Sequence, residues 1–229
     1  MRLEWPGVAD AEVAGSLDWP AEGPRGDLVV SGRVRDPSRM MRLPSGLGIV
    51  LPELGPLSLA GRLRGQNGRF RLDDLQVGAD RPGMRVDVEG TVRELGAVPE
   101  LELRLRAQLV DPSLIATVLP RLALPGGGMR RLDVTAYLRG TPQQLRIEDM
   151  QARLQGDGFA LDASGDLDAL GQAPASGLEL SARVDGLAVL GEIAGWPAID
   201  LPATGRVRAR ARLVADQDDY ALSDLFAAW

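Results

Sequence analysis

Arg69-Phe70-Arg71-Leu72-Asp73-Asp74-Leu75-Gln76 comes back in this chain as Gln144-Leu145-Arg146-Ile147-Glu148-Asp149-Met150-Gln151. It begins a third time as Tyr220-Ala221-Leu222-Ser223-Asp224-Leu225. The interval, from 69 to 144, is 75 residues, and the flanks keep it. Met84-Arg85-Val86-Asp87-Val88-Glu89-Gly90-Thr91-Val92 returns as Phe159-Ala160-Leu161-Asp162-Ala163-Ser164-Gly165-Asp166-Leu167, and Asp36-Pro37-Ser38 as Asp111-Pro112-Ser113. A fixed period of this kind is the signature of a repeat architecture. It predicts a partial repeat over 1–54, full repeats over 55–129 and 130–204, and the start of a further one over 205–229. The chain opens inside one unit and stops inside another, so it reads as a segment of something longer. The absence of a targeting or membrane-spanning stretch therefore carries no weight for the parent protein.

Inside a repeat the apolar period is two, the period of a strand. Leu57, Leu59, Gly61 and Leu63 alternate with Ser58, Arg62 and Arg64. Gly65-Gln66-Asn67-Gly68 supplies turn chemistry, because Gly and Asn tolerate positive φ. Phe70 and Leu72 begin a second run whose phase breaks at Asp73-Asp74 before Leu75 and Val77, and the same break recurs at Glu148-Asp149. One extra residue that restores a lost alternation is a β-bulge. Met84–Val92 and Leu101–Leu109 give the third and fourth runs. Asp111-Pro112-Ser113 then places an N-cap and an N1 proline before Leu114–Leu119, a short helix. Equivalent helices are predicted after Asp36 and from Asp185 to Ile193, each followed by an extended Pro-flanked return.

The predicted fold is mainly β: a curled, highly twisted antiparallel sheet forming a groove, built from these repeats of four strands and one short helix. Strands with one apolar face must have it covered. Four strands of nine residues offer roughly 550 Å² of face, while an eight-residue helix hides only about 120 Å². What is left rivals the largest apolar patch an ordinary monomer exposes. The sheet must curl, meet a second sheet, or hold an apolar ligand. Bulges and the in-strand glycines Gly15, Gly90 and Gly165 are devices for bending.

Composition narrows the chemistry. The 229 residues carry a net charge of −6, with 26 basic residues that are all Arg, no His and no Cys. An acidic chain with 4% aromatics is unsuited to nucleic acid, which needs basic patches and stacking rings. Without His or Cys, the common metal sites and His-based proton transfer are impossible within it. Asp74, Asp149 and Asp224 recur one per repeat, about 19 Å apart across four strands, too far to share a metal or a reacting bond. Gly126-Gly127-Gly128 lacks the Lys-Ser/Thr and the long helix of a phosphate loop. Arg206, Arg208, Arg210 and Arg212 alternate with apolar residues, as the solvated face of a strand or as a contact for anionic headgroups or a partner. The Trp-Pro pairs at Trp5, Trp19 and Trp196 read as turn-flanking anchors. No nucleophile–base pair can be assembled, so an enzyme is not expected, nor is any cofactor.

Gly55–Gly65 (GPLSLAGRLRG), Gly68–Leu75 (GRFRLDDL) and Val86–Gly90 (VDVEG) resemble the repeats of the AsmA-like superfamily of the Gram-negative envelope, itself similar to the bridge-like lipid-transfer proteins. The resemblance implies a long β-groove in the periplasm, held to the inner membrane by a part of the protein outside this chain. It also implies carriage of phospholipid acyl chains between inner and outer membrane, with an outer-membrane or periplasmic protein as a possible partner. The residues expected to line such a groove are Leu57, Leu59, Leu63, Phe70, Leu72, Met84, Val86, Val88, Leu101, Leu103 and Leu105, and one repeat on Leu132, Val134, Leu138, Leu145, Ile147, Phe159, Leu161, Leu178 and Leu180. Two alternatives stand beside it: a closed sandwich or solenoid with no ligand, and a structural scaffold or assembly factor that binds protein through its sheet edges.

Overall fold

A computed structural model describes residues 2–5, 9–20, 23–35, 54–67, 69–95, 98–118, 128–167, 176–186, 205–216 and 219–228. All its strands belong to one antiparallel sheet. They are β1 (Arg2–Trp5), β2 (Ala9–Asp18), β3 (Arg25–Val34), β4 (Leu57–Gln66), β5 (Arg69–Arg81), β6 (Met84–Arg93) and β7 (Glu100–Leu109), then β8 (Met129–Thr141), β9 (Gln144–Gly156), β10 (Phe159–Leu167), β11 (Ser176–Val184), β12 (Val207–Asp216) and β13 (Asp219–Ala228). Their order in the sheet is their order in the chain, and β1 and β13 do not meet, so the sheet is open. Thirteen strands at about 4.8 Å spacing make it roughly 58 Å wide.

The sequential order follows from short turns. β5 and β6 are joined at Pro82-Gly83, where Gly83 is left-handed, and β9 and β10 at Asp157-Gly158, where Gly158 is left-handed. Asn67, also left-handed, turns β4 into β5. Three connections are long: 35–56, 110–128 and 185–206. All three leave and rejoin the sheet at the same end of the strands, four strands apart. The middle one carries α1 (Pro112–Val118). The helix expected after Asp36 lies outside the described residues, as does that expected from Asp185 to Ile193 apart from Asp185 and Gly186, which are not helical, and as do the returns that follow all three.

Bulges occur where the phase breaks. Ala60 pairs with Gln76 and Arg62 with Asp73, so Gly61 alone faces Asp74 and Leu75. Likewise Ala136 faces Asp149 and Met150, and Ala211 faces Asp224 and Leu225. Asp74, Asp149 and Asp224 have φ of 51°, 49° and 53°. Each spends one residue in the left-handed region, so that Leu75 and Val77, like Met150 and Ala152, fall on the same face as the apolar residues before the bulge.

α1 is capped as the Asp-Pro-Ser motif requires. The Asp111 carboxylate accepts from the Ser113 amide at 2.8 Å and from its hydroxyl at 2.6 Å. These two bonds hold the Asp111 carboxyl below its ordinary pKa. Leu114 and Ile115 then join Met84, Leu109, Met129, Leu132 and Leu154 in a buried hydrophobic cluster of the described residues. Ile115 is fully buried.

Candidate functional site

Because cross-strand partners point to the same side of a sheet, the register defines two faces. One row runs Leu28, Leu63, Leu72, Val92, Leu101 across β3 to β7. The next contains Val30, Gly61, Gly90, Leu103, Leu138 and Ile147. A third contains Gly32, Leu59, Val77, Val88, Leu105 and Ala136, and a fourth Val34, Leu57, Ala79, Val86, Ala107, Val134 and Ala152. Beyond β9 the face continues through Leu161, Ala163, Leu178 and Leu180 to Ala209 and Ala211 of β12. The single charged interruption near its end is Arg81, opposite Met84.

All twenty residues singled out from the sequence lie on this face. They divide by what covers them. Met84 and Leu132 belong to the cluster beneath α1, and Val86, Val134, Phe159 and Leu161 pack against it. Outside that cluster, Leu57, Leu59, Leu63, Phe70, Leu72, Val88, Leu101, Leu103, Leu105, Leu138, Leu145, Ile147 and Leu180 are half-buried, and Leu178 is buried. Face residues that the sequence list omitted are more enclosed than most of those it contained: Leu75, Ala79, Leu109, Ala136, Leu154, Val184 and Val207 are all buried. Leu75 and Leu109 stood in the apolar runs read from the sequence and were only left off the list. Carrying the phase shift further past the bulges would have found Ala79 and Leu154.

Gly90 and Gly165 sit in β6 and β10 on the apolar face, with φ of 151° and 140°. A Cβ on Gly90 would lie 2.1 Å from the Glu102 carbonyl oxygen, and one on Gly165 would lie 2.5 Å from that of Gly177. The neighbouring backbone therefore passes where a side chain would stand, at the same register point of two successive four-strand groups. Glycine at such points lets two strand backbones approach closely.

The opposite face is a lattice of arginines and carboxylates. Arg62 forks onto Asp27 with two bonds of 2.6 Å, which hold the Asp27 carboxyl below its ordinary pKa. Arg64 and Arg71 converge on Asp73 at 3.3 and 3.0 Å, and Arg131 binds Asp133 at 2.6 Å. Arg93 meets Glu102 at 2.9 Å and Arg139 meets Glu148 at 3.2 Å. These exposed pairs contribute little stability each. An open hollow of about 600 Å³ among Arg33, Arg35, Ser58, Asp80, Arg85 and Asp87 belongs to this polar side.

The three bulge aspartates lie on β5, β9 and β13, four strand steps apart, and no group of three or more acidic side chains among the described residues comes together around a metal position. Of the Trp-Pro pairs, Trp19 is three-quarters exposed, while Pro6 and Trp196 lie outside the described residues. No protein-family model, no curated protein and no solved structure matches the chain.

Proposed function

We propose that this chain is a stretch of an envelope lipid-transfer protein, in which repeats of four strands and a helix curl one continuous sheet into an apolar trough for phospholipid acyl chains. The single observation that carries the proposal is the apolar face shared by β2 to β12, interrupted by charge only at Arg81 among the described strands and most of it half-buried, with α1 packed over one part of it. Open antiparallel sheets beyond about ten strands curl or split rather than stay flat. The left-handed bulges and the glycine close approaches supply curvature on the apolar side. Inside such a trough each methylene of an acyl chain withdrawn from water contributes about 0.8 kcal/mol. The face offers methyl and methylene groups and no recognition of a headgroup, as a carrier of bulk phospholipid requires. Its place would be the periplasm, between inner and outer membrane, with the membrane anchor in another part of the protein.

Neighbouring residues on β7 test this directly. A photo-crosslinking amino acid at Leu105, on the apolar face, should capture phospholipid in Gram-negative cells; the same group at Arg106, on the polar face, should not. Equal capture at both positions, or at neither, would reject the trough. The alternative of a protein-binding scaffold draws on β1 and β13, which each pair on one side only. It predicts protein adducts from those edges and no lipid adduct at Leu105.

A further inference from the structure

Apolar residues stand on the polar face near both edges of the sheet, and their positions match by repeat. In the interior, Gln76, Glu89 and Arg104 oppose one another across β5, β6 and β7, and Gln151, Ser164 and Glu179 do so one repeat on. The counterpart of Gln76 on β13 is Phe226, opposite Arg210 and 64% exposed. The counterparts of Glu89 and Arg104 on β2 and β3 are Ala14 and Val29, which oppose each other; Val29 is 54% exposed. β13 pairs with β12 alone, and β1 covers only Ala9–Glu12 of β2. Ala14–Asp18 therefore have no strand on that side among the described residues. β13 carries the left-handed bulge aspartate of β5 and β9, both of which are paired on two sides. Leu72, Leu75 and Gln76 of β5 face Val92, Gly90 and Glu89 of β6, and Ile147, Met150 and Gln151 of β9 face Leu167, Gly165 and Ser164 of β10. The register is the same 75 residues apart. β2 belongs to the series of β6 and β10: Gly15 has φ of 136°, and a Cβ on it would lie 2.1 Å from the Asp27 carbonyl oxygen.

We infer that β13 of one copy of this chain docks on Ala14–Asp18 of a second copy, joining two sheets end to end. The register of β5 on β6 fixes the joint: Leu222 stands opposite Leu17, Leu225 opposite Gly15, and Phe226 opposite Ala14. Phe226, Ala14 and Val29 then form one apolar run across it, where the interior rows carry polar side chains. On the other face, Leu225, 69% exposed in the single chain, comes diagonally beside Leu17, which is 49% exposed. β13 fits as far as Phe226 without displacing β1. Ala228 is the counterpart of Gly78, and Gly78 faces Asp87, the counterpart of Glu12, which Arg2 already holds. The two strands thus lie in line along β2. An edge strand without Pro or Lys, such as β13, is open to pairing of this kind. Pairing β13 with a second β13 would leave Ala14 and Val29 exposed. The joint is head-to-tail, so it adds copies in one direction. It concerns the strand edges and holds whether or not the apolar face carries lipid.

The chain has no cysteine, so single introduced thiols can report the joint. By light scattering, the mass of the wild-type chain should rise with concentration above that of one copy, and Phe226→Asp should abolish the rise. An equimolar mixture of Phe226→Cys and Ala14→Cys, treated with a short bismaleimide, should yield crosslinked dimer. The yield should be about tenfold that of Phe226→Cys mixed with Arg106→Cys, since groups held side by side react as one molecule. Phe226→Cys alone should stay at the level of that control. A wild type with the mass of one copy at every concentration overturns the inference without any variant having to fold, and leaves both edges to a strand of some other segment. Crosslinking of Phe226→Cys to itself as readily as to Ala14→Cys overturns it too, in favour of a two-fold contact between β13 strands.

Discussion

At the scale of single residues, two kinds of position hold the apolar face together. Asp74, Asp149 and Asp224 take the left-handed conformation that a side chain normally avoids at a cost of about 1–2 kcal/mol. They do so because the bulge returns the following residues to the apolar side. Asp74→Gly should leave stability unchanged or raise it by up to about 1 kcal/mol, whereas Asp74→Val should lower it by about 1–2 kcal/mol, since branching at Cβ makes positive φ worse. Urea unfolding reads both; a loss on going to Gly would mean that the aspartate side chain itself matters. Gly90 and Gly165 make the second kind. Gly90→Ala places a methyl group on the Glu102 carbonyl. It should cost about 2–4 kcal/mol unless the two strands part, and a chevron or melt unchanged by it would remove the bend argument at β6. Both kinds of position were legible in the sequence, the first as a phase break and the second as glycine recurring inside a strand. The sign of φ was not, because alternation reports which face a side chain takes and not the path by which the backbone delivers it.

At the scale of the element, α1 shows how local signals and long-range docking separate. Asp111-Pro112-Ser113 announced its start, and the cap forms as the motif requires. Its partners could not be read the same way. Leu114 and Ile115 share one buried cluster with residues of β6, β7, β8 and β9, brought together only by strand register. Ile115→Ala should therefore cost about 2–5 kcal/mol, the range for truncating an enclosed aliphatic side chain. The loss should be accompanied by exposure of Met84 and Leu132 to solvent-borne probes. A cost under 1 kcal/mol would mean that the helix does not seal this end. Asp111 adds a pH dependence whose sign is determined. Its carboxyl is depressed in the folded state by the Ser113 hydroxyl and amide, with smaller help from the Leu114 amide and Arg81. The stabilisation is thus present above the unfolded value, near 4, and is lost as pH falls through the lower folded value. Asp111→Asn should flatten the acid limb of a stability–pH curve and leave neutral-to-alkaline behaviour parallel to the wild type.

At the scale of the whole molecule, strand order was legible because every strand is joined to the next by a turn or a return long enough for one helix. The common apolar face was legible because the period of two is kept through most of each strand, with the bulges and a few residues such as Arg81 and Val29 as exceptions. The covering of that face was not, since no alternation pattern records how far a residue is from solvent. Three of the twenty residues named from the sequence are buried and the rest half-buried, and several of the most enclosed ones escaped that list. This distinction changes which substitutions test the trough. Val86 and Leu161 pack against the helix cluster, so a charge there attacks the fold itself. Val88 and Leu138 are half-buried outside that cluster, on β6 and β8.

The decisive measurement is native mass spectrometry of the chain purified from Gram-negative envelopes, wild type beside Val88→Asp/Leu138→Asp, with a thermal melt of each. In an open trough the new carboxylates reach water, so the double variant should melt within a few degrees of the wild type. It should also lose most of the co-purified phospholipid that the wild type carries. In a closed, dry core each unpartnered carboxylate costs several kcal/mol, a large share of a domain's net stability. A wild type that carries no phospholipid, with a double variant that fails to fold, would contradict the trough and leave the scaffold.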